Sequence, residues 1–248
     1  MMPGKSAVVV AHPDDEILWL SSALKGADKI VFCFGDLFAN PKRSAARRRA
    51  VAALALPNLT DLQIPESGTR KLVEWERAKP TPCGIEIAET EGRARYEANF
   101  AKLVAALRPV LVGCNNVFTH NPWGEYGHPE HVQVYRAVCA LQAELGYTVW
   151  FSNYVASLSW PLARQLAAQS CWTRRESHRP NAFLARRWAW IYLRHGAWTW
   201  ILSYRWPRRE TLYAQPPAGA LHPLHGETLL DISRLRLWRW GKATRVLD

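Results

Sequence analysis

The chain has 248 residues, 48% hydrophobic and 21% charged, which excludes a disordered or fibrous polymer and suffices for one α/β domain with a buried core. The net charge of +11 is uneven: residues 1–171 hold 18 Lys/Arg against 16 Asp/Glu, and residues 172–248 hold 14 against 5. Five scattered cysteines without a CxxC pair exclude a disulfide framework and a cysteine-held zinc cluster, so thirteen tryptophans remain the compositional anomaly.

In chain order, Ser6 to Ala11 is an apolar, β-branched run that stops at a polar cluster, predicting a strand, and Glu16 to Leu24 predicts a helix. The apolar run is too short for a signal peptide and lacks a cleavage site, so a cytoplasmic chain is expected, with peripheral contact at the inner membrane face. Lys29 to Gly35 predicts a second strand, Ser44 to Leu56 an Ala/Arg-rich helix ended before Pro57, and Asp61 to Ile64 a third strand. From Glu66 to Glu89 the chain is polar and broken by Gly68, Pro80, Pro82 and Gly84, an excursion of the kind that covers sites. Helical spacing returns over Glu91 to Leu107. Pro109 to Gly113 predicts a fourth strand, Pro129 to Leu145 a helix with Val132, Tyr135, Val138 and Leu141 inward, and Tyr147 to Phe151 a fifth strand.

This alternation predicts a Rossmann-like α/β fold, a mostly parallel sheet with helices on both faces and a ligand site beyond the carboxyl ends of its strands. The expected organisation is an α/β domain over residues 1–171 and a basic, Trp-rich extension over 172–248 packed on or capping it. Trp188 to Trp206 comes nearest to a membrane span, but Arg194, His195 and Arg205 interrupt it.

Two motifs carry chemistry. His12-Pro13-Asp14-Asp15-Glu16 sits where the first strand meets its helix. Carboxylates this crowded are costly unless a cation neutralises them; a helix cap accounts for one Asp but not for the His. Tyr126-Gly127-His128-Pro129-Glu130-His131 opens a later helix, with Pro129 in its first turn and the two histidines three apart, able to project from the same end. Together the motifs offer nitrogen and oxygen ligands suited to zinc with a position left open for water, a catalytic rather than structural arrangement.

AHPDDE followed by GHPEH resembles the LmbE-like, PIG-L-type family of zinc-dependent N-deacetylases acting on N-acetylglucosamine groups, over roughly residues 5–155. The resemblance implies that His12, Asp15 and His131 bind the metal, zinc or another divalent ion such as Fe2+. It further implies that Asp14 is the general base, and that a positively charged His128 and the Tyr126 hydroxyl share the oxyanion charge. The chain departs from the family pattern in carrying Glu130 where Asp is usual, and in a longer, more polar stretch from Thr119 to Glu125.

Arg48, within Arg47-Arg48-Arg49, and His120 and Asn121 beyond the fourth strand are expected to border the substrate. His222 to His225 reads as a surface loop. The Trp/Arg segment from Trp172 to Trp206 reads as a packed cap or as an interface to lipid headgroups or sugars. The expected partner is an N-acetylated amino sugar, phosphate- or lipid-linked. Competing readings are a metal amidase acting on a thiol-sugar conjugate or another small amide, and a nucleic-acid or membrane binding protein with a vestigial metal site. Recognisable nucleic-acid motifs are absent, so no nucleic acid is expected.

Overall fold

A computed structural model describes residues 4–169, 174–202, 204–215, 227–232 and 244–247. The chain runs β1 (Ser6–Val10), α1 (Asp15–Trp19), β2 (Lys29–Phe34), α2 (Pro41–Leu54), β3 (Leu59–Ile64), β4 (Pro80–Thr81), β5 (Gly84–Ile85), α3 (Thr90–Leu111), β6 (Asn116–Thr119), α4 (Pro129–Leu145), β7 (Thr148–Ser152), β8 (Tyr154–Val155), α5 (Trp160–Gln169), β9 (Arg174–His178), α6 (Ala182–Arg194), β10 (Glu210–Gln215), β11 (Thr228–Asp231) and β12 (Thr244–Val246). Seven strands form the central sheet in the order β3-β2-β1-β6-β7-β10-β9, with a small β12-β11-β8 sheet beside it and a β4-β5 ribbon in the long excursion.

Five neighbouring strands, β3 through β7 in that order, are parallel, as the alternation predicts. All of β1 is buried because both its faces are covered, so a continuous Ala/Val run suits it better than an alternating one. Ala7, Val9 and Ala11 join one core with Leu103, Leu107, Val134 and Val138 of α3 and α4. Val8 and Val10 join the other with Ile17, Ala46, Ala50 and Trp188 of α1, α2 and α6.

From β1 the chain winds outward to β2 and β3, then returns across to β6 and β7. The direction reverses between β1 and β6, and the carboxyl ends of the strands at such a switch point are where α/β folds bind ligands. The segments that follow β1 and β6 carry the two motifs.

Three elements differ from the sequence expectation. Pro109 to Gly113 is not a strand: α3 continues through Pro109 to Leu111, because Leu103, Leu107 and Leu111 continue an i, i+4 stripe fully buried in the core. The strand in that place is β6, five residues further on from Leu111. The helix expected over Glu16 to Leu24 stops at Trp19, and the Ser22 backbone N–H then donates to the buried carboxylate of Glu210. The extension expected over residues 172–248 contributes to the sheet itself: β10 pairs antiparallel with β7, and β9 with β10, while α6 covers α1 and α2. The loop from His222 to His225 lies outside the described residues, as do Trp172 and Cys171; Cys33, Cys83, Cys114 and Cys139 are free thiols.

Candidate metal centre

Where β1 ends, the chain turns sharply. Asp14 takes φ +96°, a left-handed conformation that costs a non-glycine residue free energy and that Asp tolerates better than most. The turn puts His12, Asp14 and Asp15 just beyond the carboxyl end of β1 at the switch point, all at most 4% exposed. Across the switch point, His128 occupies the N-cap position of α4, Pro129 starts the helix, and His131 lies in its first turn. The structure therefore gathers His12, Asp14, Asp15, Tyr126, His128 and His131 from both motifs.

Asp15 is the centre of the cluster. Its Oδ2 lies 3.2 Å from His12 Nδ1 and 3.2 Å from His131 Nε2, while Oδ1 accepts a hydrogen bond from the Trp19 indole at 2.9 Å. Behind each histidine stands a carboxylate. His131 Nδ1–H donates to Glu125 Oε2 at 2.7 Å, and His12 Nε2–H donates to Glu130 Oε2 at 3.1 Å, with Glu66 3.3 Å away. Glu130 is held in turn by the Ser67 backbone N–H and hydroxyl from the long excursion, and Glu66 by Arg47 at 2.6 Å. With those protons committed outward, both rings turn their other nitrogen to Asp15, the arrangement that fixes a metal-binding tautomer.

Three groups of side chains are close enough to hold an ion: His12, His128 and His131; Asp15, His120 and His131; and His12, Glu66 and Glu130. Hydrogen bonding discriminates among them. His120 Nε2 already accepts the Ala11 backbone N–H at 2.8 Å and its Nδ1–H goes to Glu125, so neither nitrogen has a lone pair to give. The Glu66 and Glu130 side is filled by the His12 proton and Arg47. What remains is the group of His12, His128 and His131, beside which Asp15 Oδ2 lies 3.2 Å from both His12 Nδ1 and His131 Nε2, the last a fully buried atom with no hydrogen-bond partner. A divalent cation fits there: the donors are the nitrogen and oxygen types zinc accepts, and the surrounding carboxylates outnumber Arg47, the one arginine buried among the described residues.

The electrostatics agree. Burial opposes charge on His12, yet its bonds to Asp15 and Glu130 and the nearby Glu66 outweigh that and push its pKa up to about 10. A pocket that draws a proton onto a buried imidazole favours a cation. Asp15 resists burial and is held well below the usual carboxylate range by His131, His12 and His120. Asp14 goes the other way: burial and the charge of Asp15 raise it to about 7, against the opposing donors of Thr199, whose N–H and hydroxyl meet Asp14 Oδ2 at 3.0 and 2.6 Å.

His128 differs from the expected cation. Burial, followed by the neighbouring His131 and His12, holds its pKa well below the usual value, so the ring is neutral, with Nδ1 buried and unpartnered. Tyr126 lies over the cluster, its ring centroid 5.7 Å from that of His128 and 5.2 Å from that of His131, with the Arg70 guanidinium 5.6 Å from its centroid. Burial, together with the charge of Asp15, keeps its hydroxyl protonated.

The three residues expected to border substrate are placed elsewhere. His120 is fully buried and stacked on His131 at 3.8 Å, where it props the ligand ring. Asn121 is fully buried and ties the loop to β8, donating to the Ser152 and Tyr154 carbonyls and accepting from the Glu125 N–H. Arg48 is half-exposed and pairs with Asp36, while its neighbour Arg47 points inward. Sequence reasoning missed Glu125, Glu130, Glu66 and Thr199. The first two were detectable from the rule that ligating histidines need a carboxylate behind them, whereas nothing in the sequence joins Thr199 to a motif 185 residues away.

No family model matches the sequence, and no curated protein matches it either. Solved structures do. The zinc-inhibited form of teicoplanin deacetylase Orf2 superposes with a TM-score of 0.55 at 13% identity over 85% of this chain and 97% of that one. The A40926 pseudoaglycone deacetylase Dbv21 does so with a TM-score of 0.51 at 15% identity over 88% and 99%. The chain thus has the LmbE-like α/β fold of these deacetylases, as its two motifs imply.

Proposed function

We propose that the chain is a metal-dependent N-deacetylase that hydrolyses the acetamide of an N-acetyl amino sugar to acetate and the free amine. The observation that carries this reading is the buried convergence of His12 Nδ1, Asp15 Oδ2 and His131 Nε2, with a near-neutral carboxylic acid, Asp14, next in the chain. The deacetylases that share the fold support it.

His12, Asp15 and His131 would hold the ion, which when bound supplies Lewis acidity toward the amide carbonyl and toward water. Asp14 takes the proton of the attacking water; a pKa of about 7 lets it act as base and then, protonated, as acid at neutral pH. Both Thr199 donors engage Oδ2, which orients the carboxylate and leaves Oδ1 to receive that proton. The Tyr126 hydroxyl donates to the oxygen that gains charge, and the neutral His128 ring adds a further N–H. Asp14 then returns its proton to the departing amine as the C–N bond breaks.

The test is acetate release from N-acetylglucosamine compounds that are free, nucleotide-linked and lipid-linked, using zinc-loaded chain, chelated chain and Asp14→Asn. Release from at least one compound, lost on chelation and in Asp14→Asn, is expected. No release from any of them by a chain that binds one zinc per molecule would overturn the assignment in favour of another amide.

A further inference from the structure

Helix α6 carries large apolar residues on two sides. Ala185, Trp188 and Tyr192 face the core, and the Tyr192 hydroxyl donates to buried Glu16 at 2.8 Å. The opposite side carries large apolar residues in solvent among its arginines: Phe183 is 82% exposed and Trp190 65%, and Leu202, just beyond the helix, is 77% exposed. Between α6 and the segment that follows runs an open groove of about 510 Å³, lined by Trp190, Leu193, Trp198 and Leu202 with Arg186 and Arg205 on its walls. Exposed apolar surface of this extent marks a contact, since isolated exposed residues are ordinary but a contiguous patch is not.

Charge says what the contact is with. Residues 177–209 contain seven arginines and no Asp or Glu. A protein partner or a second copy would need an apolar patch ringed by enough acid to answer those charges, and this chain, at +11, repels its own copies. An anionic bilayer supplies both halves at once: phosphates for the guanidiniums and an interfacial layer for Trp, Phe and Leu. Among the described residues no helix is long and apolar enough to cross a membrane, so such a contact is interfacial.

We propose that the exposed face of α6 and the segment through Trp206 dock the chain on an anionic phospholipid surface. The same segment carries Thr199, bonded to Asp14, and Trp200, whose ring lies 5.0 Å from that of Tyr126, so docking brings the mouth of the metal centre to the lipid. Such docking sets where the chain works, whichever bond it cleaves.

Co-sedimentation of the full chain with vesicles of phosphatidylcholine, and of phosphatidylcholine with one quarter phosphatidylglycerol, tests it. Binding to the anionic vesicles alone is expected, weakening as salt rises. Each arginine near such a surface contributes on the order of fivefold, so Arg186→Gln with Arg194→Gln should lose about 30-fold in partitioning. Trp190→Ser with Leu202→Ser should weaken it as well. All four residues are exposed, and an unchanged thermal melt will show that the variants fold. Equal binding to neutral vesicles, no binding at low salt, or binding untouched by both double variants would overturn the proposal. So would a concentration-dependent dimer abolished by Trp190→Ser, which would make a second copy the occupant.

Discussion

Replacing Glu125 by Gln tests whether the centre is built for a metal from behind. Glu125 is fully buried and spends three acceptor positions: Oε2 takes the Nδ1–H of His131 at 2.7 Å and of His120 at 3.1 Å, and Oε1 takes the Asn121 N–H at 2.9 Å. An amide has one acceptor end only. If its oxygen faces the histidines, its NH2 confronts the Asn121 N–H; if it is flipped, two imidazole donors confront NH2. Either way a buried donor is left unpaired, at about 1–3 kcal/mol of stability. The lost negative charge also makes His131 a poorer ligand, and removal of such a partner lowers metal affinity by about 10- to 100-fold. Competition for zinc against a chromophoric chelator at pH 7, paired with denaturant unfolding of the metal-free chain, reads the two effects separately. Affinity within twofold of the parent in a folded variant would refute the argument that Glu125 sets the His131 tautomer.

Thr199→Val removes the hydroxyl donor to Asp14 but keeps the backbone one; turnover should fall roughly ten- to hundredfold with KM and zinc affinity unchanged, and Thr199→Ser should restore it. A Val variant as active as the parent would remove Thr199 from the mechanism. Glu210, fully buried and bonded by the Ser22 N–H and the Tyr154 hydroxyl, has its pKa raised by burial, so the folded chain binds a proton there more tightly than the unfolded one. Stability from this group is present below the unfolded carboxylate range and is lost as pH rises toward the raised folded value. Urea unfolding followed as pH rises from the unfolded carboxylate range should therefore show a downward slope that Glu210→Gln lessens, and parallel curves would disprove it. Zinc at about a hundredfold over its Kd should stabilise the parent by about 2.7 kcal/mol, and His131→Ala, if folded, should lose most of that; an equal shift in both would exclude His131 as a ligand.

How much was legible depends on how local each feature is. Helix α4 was readable to its ends, because Pro129 starts it, Gly146 stops it with φ +75°, and Val134, Val138 and Leu141 lie inward. The ligand motifs were readable because each is confined to one strand-to-helix turn. Pro109 misled, since an apolar run after a proline resembles a strand until its leucines are set against a core already spaced at four residues. The two strands supplied from beyond residue 172 were hidden by composition: Arg-rich β9 does not alternate, and it is a strand because β10 offers it an edge. The partners of the site, Ser67 to Glu130 and Thr199 to Asp14, join segments 63 and 185 residues apart, and no local pattern encodes such a meeting.

That last distance has a consequence for assembly. Every atom proposed to grip the ion belongs to the first 131 residues, whereas the donors that aim Asp14 arrive with Thr199. The proposed loading and the proposed chemistry are thus written at different points along the polypeptide: a sequence ending before α6 contains all three proposed ligands but lacks both Thr199 donors to Asp14. During synthesis, the residues proposed to hold the ion emerge well before Thr199, whose two donors meet the proposed base.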